Sequence, residues 1–136
     1  MYAYLHGKIA YRSPAFLVID VHGTGYHVNI PVSTYSAVEG KEEATIYTHL
    51  IVREDAHTLF GFATQTERTL FVQLIGVTGV GATTAQLLLS SMSADEIRAA
   101  ILGEQAHVLQ RVKGIGAKTA KQIILDLKDK MAKGNT

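Results

Sequence analysis

The chain contains an internal repeat, and this repeat restricts its fold more than any other feature. When the sequence is shifted against itself by 35 residues, Val77–Ala85 aligns with Val112–Ala120. Six of the nine aligned pairs are identical, and the pair Val80 and Ile115 is conservative. Apolar positions on both sides of the aligned segment match as well. Each copy is therefore predicted to be a helix, a glycine-rich turn and a second helix.

Each copy carries a Gly-apolar-Gly turn at its centre, Gly79-Val80-Gly81 in the first and Gly114-Ile115-Gly116 in the second. The first glycine lets the chain turn tightly, and the second lets a ligand approach the backbone closely. The apolar residue between them is predicted to anchor the turn in the core. The following helix presents free N–H groups and the positive end of its dipole, which suit a phosphate. The repeat therefore predicts contacts to a phosphate backbone, without sequence readout.

Two other interpretations of these turns remain open at this stage. A Gly-apolar-Gly turn can join two helices without binding any ligand. The glycine spacing from Gly76 to Gly81 also matches a nucleotide-binding Walker A loop, but Ala82-Thr83 stands where that loop has its phosphate-binding lysine. Neither copy fits the dinucleotide-binding pattern G-x-G-x-x-G after a strand. Two copies in register, one of them flanked by basic residues, favour binding of a phosphate backbone.

The first 63 residues have the period of β-strands, because apolar and polar residues alternate and turn residues interrupt them. The turn Gly23-Thr24-Gly25 is expected to supply the positive φ angles of one hairpin. Five short strands in about 60 residues suit a small barrel, and the oligonucleotide-binding (OB) type is favoured. The predicted strands lie near residues 2–11, 16–21, 26–32, 45–52 and 57–62.

At Thr64 the period changes to that of a helix. Thr64 and Glu67 have the spacing of a capping box, and so have Ser93 and Glu96. Gly103 is a predicted helix stop. The helices are expected to bury apolar residues, namely Leu70, Phe71, Leu74 and Ile75, then Ile97, Ala100 and Ile101. The prediction is an α+β multidomain chain: a five-stranded OB-type barrel (1–63), then an all-α domain (64–136) with two helical hairpins at about 70–90 and 105–125.

The formal net charge of +1 conceals an uneven distribution of charge. Residues 1–63 carry four basic and six acidic side chains, whereas residues 111–133 carry seven basic and two acidic ones. The basic stretch is the expected electrostatic footprint on DNA. Lys113, Lys118 and Lys121 surround the second turn, and the equivalent positions of the first turn hold Thr78, Thr83 and Gln86. The two hairpins are therefore predicted to bind unequally.

Several classes of function are disfavoured by what the sequence contains. Without cysteine there is no thiol redox chemistry and no thiolate metal site. No apolar run approaches the roughly 18 residues that span a bilayer, and we expect a cytoplasmic protein without membrane contact. The histidines of the first half lack paired metal spacing, so neither a metal nor a cofactor is expected; they are His6, His22, His27, His49 and His57.

The whole arrangement resembles a known family. The two turns resemble the helix-hairpin-helix motif of proteins that bind the DNA backbone. These turns combine with the segments Val52–Ala56 and Glu67–Phe71. In this combination the chain is similar to the RuvA family of bacterial Holliday-junction recognition proteins. The resemblance implies a homotetramer, in some members paired into an octamer, around a four-way DNA junction. It also implies a hexameric RuvB-type ATPase as the partner that drives branch migration in recombination and in DNA repair of the SOS response.

The resemblance also implies roles for individual residues. An acidic pin at the centre of the junction would consist of Glu54 and Asp55. On the sequence alone, adjacent acidic residues favour an ordinary turn between strands over a functional role. A metal-dependent nuclease would need further ligands, which are not seen at recognisable spacing. Contacts to the DNA backbone are assigned to Gly79, Val80, Gly81, Lys113, Gly114, Ile115, Gly116, Lys118, Lys121 and Arg53.

The chain departs from the family in two respects. The first hairpin lacks the basic residue that family members often carry, so we expect its contacts to rest on backbone amides. The chain also stops at residues 133–136, where family members continue into a third helical domain that touches the ATPase. Either this chain is shortened or this member lacks that domain, so we expect junction binding and not motor loading. The alternative is an enzyme with helix-hairpin-helix motifs, a glycosylase or a nuclease, and it would need a catalytic Asp or Lys beside a hairpin.

Overall fold

A computed structural model describes residues 2–133. Its contacts divide the chain after Arg68, within a helix that begins directly after the boundary predicted at Ala63 or Thr64. Residues 134–136 of the predicted helical domain lie outside the described part. The first unit contains β1 (Tyr4–Arg12), β2 (Phe16–Val21), β3 (Thr24–Asn29), α1 (Val32–Val38), β4 (Glu43–Val52) and β5 (His57–Phe62). There follow α2 (Gln65–Ile75), α3 (Ala82–Ser91), α4 (Ala94–Leu102), α5 (Ala106–Leu109) and α6 (Ala117–Ala132).

The five strands form a closed barrel in the order β1-β2-β3-β5-β4. Neighbouring strands are antiparallel, except that β3 and β5 pair in parallel. Alternate residues of each strand point inward, so Leu17, Ile19, Val28 and Ile46 are completely buried in the barrel core. This architecture, followed by a helical region, confirms the predicted OB-type barrel and fold class.

The predicted strand at 26–32 is too long. β3 ends at Asn29, and Pro31 is the N-cap of the helix α1, which the sequence interpretation missed. Proline lacks the N–H that a strand ladder needs, and its fixed φ suits the start of a helix. The alternation of apolar residues continues through Ile30 to Val32 and conceals this change. Thr34 of α1 is buried and donates a hydrogen bond to the carbonyl of Gly61 at 3.4 Å.

The hairpin between β2 and β3 turns one residue earlier than predicted. Its two central residues are His22 (φ 51°) and Gly23 (φ 94°), whereas Gly25 pairs with Asp20 inside the sheet. Two residues in the left-handed region match the twist of the flanking strands. The carboxylate of Asp20 accepts a hydrogen bond from the N–H of Gly23 at 2.7 Å and holds the turn. The prediction of positive φ is therefore right for Gly23 and wrong for Gly25.

The predicted helix ends are largely confirmed. Thr64 accepts a hydrogen bond from the N–H of Glu67 at 3.2 Å, and Ser93 forms a complete capping box with Glu96. Gly103 is the C-cap of α4. Of the side chains expected in the core, Ile75 is only partly buried, and the other six are buried: Leu70, Phe71, Leu74, Ile97, Ala100 and Ile101. Within residues 2–133, no helix has the length and apolar composition required to cross a membrane.

The capping box of α4 leads to a prediction about stability. Ser93→Ala is expected to lower the free energy of unfolding by about 1 kcal/mol at neutral pH, because it leaves the N–H of Glu96 without its partner. Hydrogen bonds from the backbone N–H and the hydroxyl of Ser93 lower the pKa of the Glu96 carboxyl. The stability that the Glu96 carboxylate contributes is therefore present above its unfolded-state pKa. It is lost as the pH falls through the lower pKa that Glu96 has in the folded state.

Urea unfolding at about pH 7 and about pH 3 measures the effect. The matched control is Glu96→Gln, whose amide can still accept the bond from Ser93 but does not titrate in this range. The control should lose the part of the pH dependence that comes from Glu96. Equal unfolding midpoints for Ser93→Ala and the unmodified chain at neutral pH would show that the box contributes nothing.

Candidate nucleic-acid interface

The two copies of the repeat fold into the same turn. The N–H of Val80 donates to the carbonyl of Val77 at 3.0 Å, and the N–H of Ile115 donates to the carbonyl of Val112 at 3.0 Å. All four side chains are 3–5% exposed. The predicted apolar anchors, Val80 and Ile115, therefore lie in the core of the helical unit and hold each turn at its surface.

Glycine occurs at the two positions of each turn for different structural reasons. Gly79 and Gly114 have φ angles of 90° and 93°, in the left-handed region where a side chain is strained. Gly81 and Gly116 have ordinary φ angles of −97° and −89°, and a Cβ at either position would meet no atom within 4 Å. The fold thus requires glycine only at the first position. At the second position the absence of a side chain leaves free space on the exposed surface.

The helices that follow the turns begin without side-chain caps. Gly81 and Gly116 are the N-caps of α3 and α6, and neither helix has an acidic residue in its first turn. The first paired N–H groups are those of Ala85 and Ala120, which donate to the carbonyls of these glycines at 3.0 Å. In the described chain, the N–H groups of the three preceding residues of each helix form no hydrogen bond. α4 differs, since it has a capping serine and two acidic residues in its first turn.

Positive charge surrounds the second hairpin alone. Lys113, Lys118 and Lys121 are all exposed, and Lys118 is the second residue of α6. A lysine in the first turn is repelled by the positive end of the helix dipole, so it destabilises the isolated helix. Beside a bound anion the same lysine would be stabilising. At the first hairpin the equivalent Thr78 and Thr83 are exposed and uncharged. The structure thus brings the three predicted lysines to one hairpin.

One basic residue of the last helix has an internal partner that the sequence interpretation did not identify. The ammonium of Lys128 forms an ion pair of 2.6 Å with Glu104. Glu104 directly follows the C-cap Gly103 and has a positive φ of 54°. A residue just past a helix end often adopts this conformation. The sequence therefore gave a signal for the backbone at Glu104 but none for its ion pair with Lys128. Lys130 and Lys133 remain exposed.

The predicted acidic pin lies at the tip of the hairpin between β4 and β5. The loop Arg53–Ala56 is closed by a hydrogen bond from the N–H of Arg53 to the carbonyl of Ala56 at 2.8 Å. Arg53, Glu54 and Asp55 are all exposed. Among the described residues, no hydrogen bond or ion pair holds either carboxylate. The tip belongs to the first unit and both turns belong to the second.

A metal-dependent enzyme would need a group of side chains gathered to hold the ion. Within residues 2–133, no group of three or more His, Asp or Glu side chains is arranged to hold a metal ion. Lys118, which lies in the first turn of α6 beside the second hairpin, is exposed on the helix surface. The geometry is suited to binding of an extended anion by open N–H groups and nearby lysines.

Comparison with known families identifies both parts of the chain. A family model described as RuvA N terminal domain matches residues 1–61. A second model, described as SAM-like helix-hairpin-helix tandem, matches residues 71–129. The second match covers both Gly-apolar-Gly turns, and the first covers the tip of the β4–β5 hairpin.

Individual relatives match nearly the whole chain. A protein of Cytophaga hutchinsonii is 47% identical over 133 residues, which cover 98% of this chain and 67% of the relative. One of Porphyromonas gingivalis is 53% identical over 131 residues, covering 96% and 65%. One of Bacteroides fragilis is 49% identical over 134 residues, covering 98% and 67%. Each is named Holliday junction branch migration complex subunit RuvA, and the chain spans about two thirds of their length.

Proposed function

Because the chain belongs to the RuvA family, we propose that it binds four-way (Holliday) DNA junctions as the recognition subunit of a branch migration complex in recombination and DNA repair. The observation that carries this proposal is the duplicated turn. Its second glycine, Gly81 in one copy and Gly116 in the other, is not required by the fold. Each glycine lies beside an uncapped helix end with open N–H groups. A phosphate of each DNA arm would occupy that space.

Binding of this kind is independent of base sequence. Backbone N–H groups and lysines contact phosphates, which position a protein on DNA but carry no sequence information. Neither hairpin predicts the bidentate side-chain contacts to base edges that direct readout needs. Lys113, Lys118 and Lys121 release counterions from the duplex when they bind, so affinity falls steeply as salt increases.

The acidic tip would select the junction over a linear duplex. Glu54 and Asp55 are exposed and unpaired in the described chain, so no internal partner offsets their repulsion of phosphates. At the open centre of a four-way junction the tip would separate the strands, with Arg53 holding the adjacent backbone. Against a continuous duplex the same charges would be a penalty.

Assembly would multiply these weak contacts. A homotetramer, alone or paired into an octamer, would offer two hairpins to each of four arms at a high effective concentration. In full-length members of the family, the partner that drives branch migration would be a hexameric ATPase of the RuvB type, in the cytoplasm. The chain itself would bind DNA without a cofactor and without a catalytic step.

The proposal is tested with a four-way junction and a linear duplex of equal length, in gel shifts at several salt concentrations. We expect clear preference for the junction, a steep salt dependence and no cleaved product. Equal affinity for the two DNAs would contradict the proposal, and cleavage would indicate an enzyme with helix-hairpin-helix motifs instead.

The unequal charge of the hairpins leads to a further expectation. Lys118→Ala should weaken junction binding by about ten-fold and flatten the salt dependence, because one phosphate contact per subunit is lost. Thr83→Ala changes the equivalent position of the first hairpin and should have a much smaller effect. Titration of both variants at two salt concentrations measures this. Equal effects would mean that the lysines beside the second turn do not contribute charge to binding.

A further inference from the structure

The identical pairs of the repeat can be sorted by whether the fold requires them. Val77 and Val112 are buried, Gly79 and Gly114 have positive φ angles, and Ala85 and Ala120 are completely buried. These three pairs are explained by the turn and the core. The other three pairs are Gly81 with Gly116, Ala82 with Ala117, and Thr84 with Thr119. They have no such structural reason, and they lie together at the beginning of α3 and α6.

Thr84 and Thr119 are the most informative of these pairs. Each is the third residue of its helix and is partly buried. A threonine in a helix commonly donates its hydroxyl to a carbonyl of the preceding turn. Neither hydroxyl has a hydrogen-bonding partner among the described residues, and threonine is a poorer helix former than the alanines around it. The repeat thus retains two unpaired hydroxyls at equivalent places.

Helix geometry defines which oxygen normally lies beside the third residue of a helix. In a capped helix, an oxygen of the N-cap side chain lies beside the third helical residue and accepts its N–H. Ser93 caps α4 in this way, accepting the N–H of Glu96 at 3.1 Å. The N-caps of α3 and α6 are glycines and bring no such oxygen. An external anion can therefore place its oxygen where the capping oxygen would lie, next to the threonine hydroxyl.

We propose that the hydroxyls of Thr84 and Thr119 each donate a hydrogen bond to the DNA phosphate bound at the N-terminus of α3 or α6. This inference rests on the proposed junction binding and adds to it the residues that hold the phosphate. Both hairpins then share one neutral set of donors, made of backbone N–H groups and a threonine hydroxyl. Lys118 adds charge to the second hairpin only. The first hairpin therefore binds its phosphate without a lysine.

The test replaces both threonines by valine, which keeps the β-branched shape and removes the hydroxyl. Thr84→Val with Thr119→Val is expected to weaken junction binding by about ten-fold. The salt dependence should stay as steep as in the unmodified chain, because no charge is removed. Lys118→Gln should instead flatten it. Thr83→Val is the matched control, since Thr83 is exposed one position earlier in α3 and should have little effect.

Serine variants separate a hydroxyl contact from a change in packing. Thr84→Ser with Thr119→Ser keeps both hydroxyls and should retain nearly full affinity. Thermal unfolding of each variant checks that the helical unit is intact; if the valine variant is unfolded, the corresponding alanine variant takes its place. Unchanged junction binding of the folded double variant would overturn the inference, and so would a serine variant as weak as the valine variant. Failure of the unmodified chain to prefer junctions would instead contradict the proposed function.

Discussion

Gly116→Val is expected to weaken binding of a four-way junction by about ten-fold or more while the chain stays folded. The backbone at Gly116 is extended and has an ordinary φ of −89°, and a Cβ there would meet no protein atom within 4 Å. A valine therefore fits the free protein, apart from a small loss at an N-cap. It would occupy the space through which a phosphate reaches the N–H groups of α6. Gel shifts with a junction and thermal unfolding of the same sample measure the two effects.

The matched control lies two residues away, in the same turn. Gly114 has a φ of 93°, so Gly114→Val forces a β-branched residue into the left-handed region at a cost of about 1–3 kcal/mol. This variant should lose stability, and any loss of binding should follow from that loss. Full junction affinity of the folded Gly116→Val protein would show that no phosphate approaches the second glycine.

The second large effect is expected at the acidic tip. Replacing Glu54 by Gln together with Asp55 by Asn should tighten binding to linear duplex by about ten-fold or more and reduce the preference for junctions. Like charges brought together at an interface cost several kcal/mol, and the two amides remove the repulsion while keeping the size of the side chains. Both residues are exposed in the loop Arg53–Ala56, so the barrel should remain stable. The ratio of duplex to junction affinity, measured at one salt concentration, gives the result.

The barrel offers a control with the same change in charge. Glu42 and Glu43 are also adjacent, exposed and acidic, at the beginning of β4 rather than at the tip. Their replacement by glutamine alters the net charge equally, so it should reproduce only the general gain in affinity from reduced negative charge. If both double variants change the ratio equally, the acidic residues at the tip do not act as a pin.

The features that could be predicted from the sequence have a local physical cause. Alternation of apolar residues with turn residues between them indicated the barrel, and the capping residues Ser93 and Glu96 marked a helix start. The similarity of the two repeats indicated two equivalent turns, and the structure gives them φ angles within a few degrees of each other and the same hydrogen bond. Each of these signals depends on residues that are near one another in the chain.

The features that were missed depend on competition between signals. Around Pro31 the apolar alternation favoured a strand, and only the missing N–H of the proline favoured a helix end. At the β2–β3 turn, the choice between Gly23 and Gly25 depended on the register of β3 against β2, which the spacing of the glycines does not specify. The pair Glu104 and Lys128 joins residues 24 positions apart. The roles of individual site residues remain predictions, since they depend on the position of DNA.

The closed order of the barrel strands has a consequence for how copies of this chain can associate. Every described strand pairs on both sides, β1 with β2 and β4, and β3 with β2 and β5. Proteins with an open sheet edge can join by adding a strand from a neighbour, in backbone contacts that tolerate most side chains. In this barrel each strand already has a neighbour on both sides over part of its length, which restricts that route. In the proposed assembly, contacts between barrels would therefore depend largely on surface side chains, so single surface substitutions would weaken them while each subunit keeps its fold.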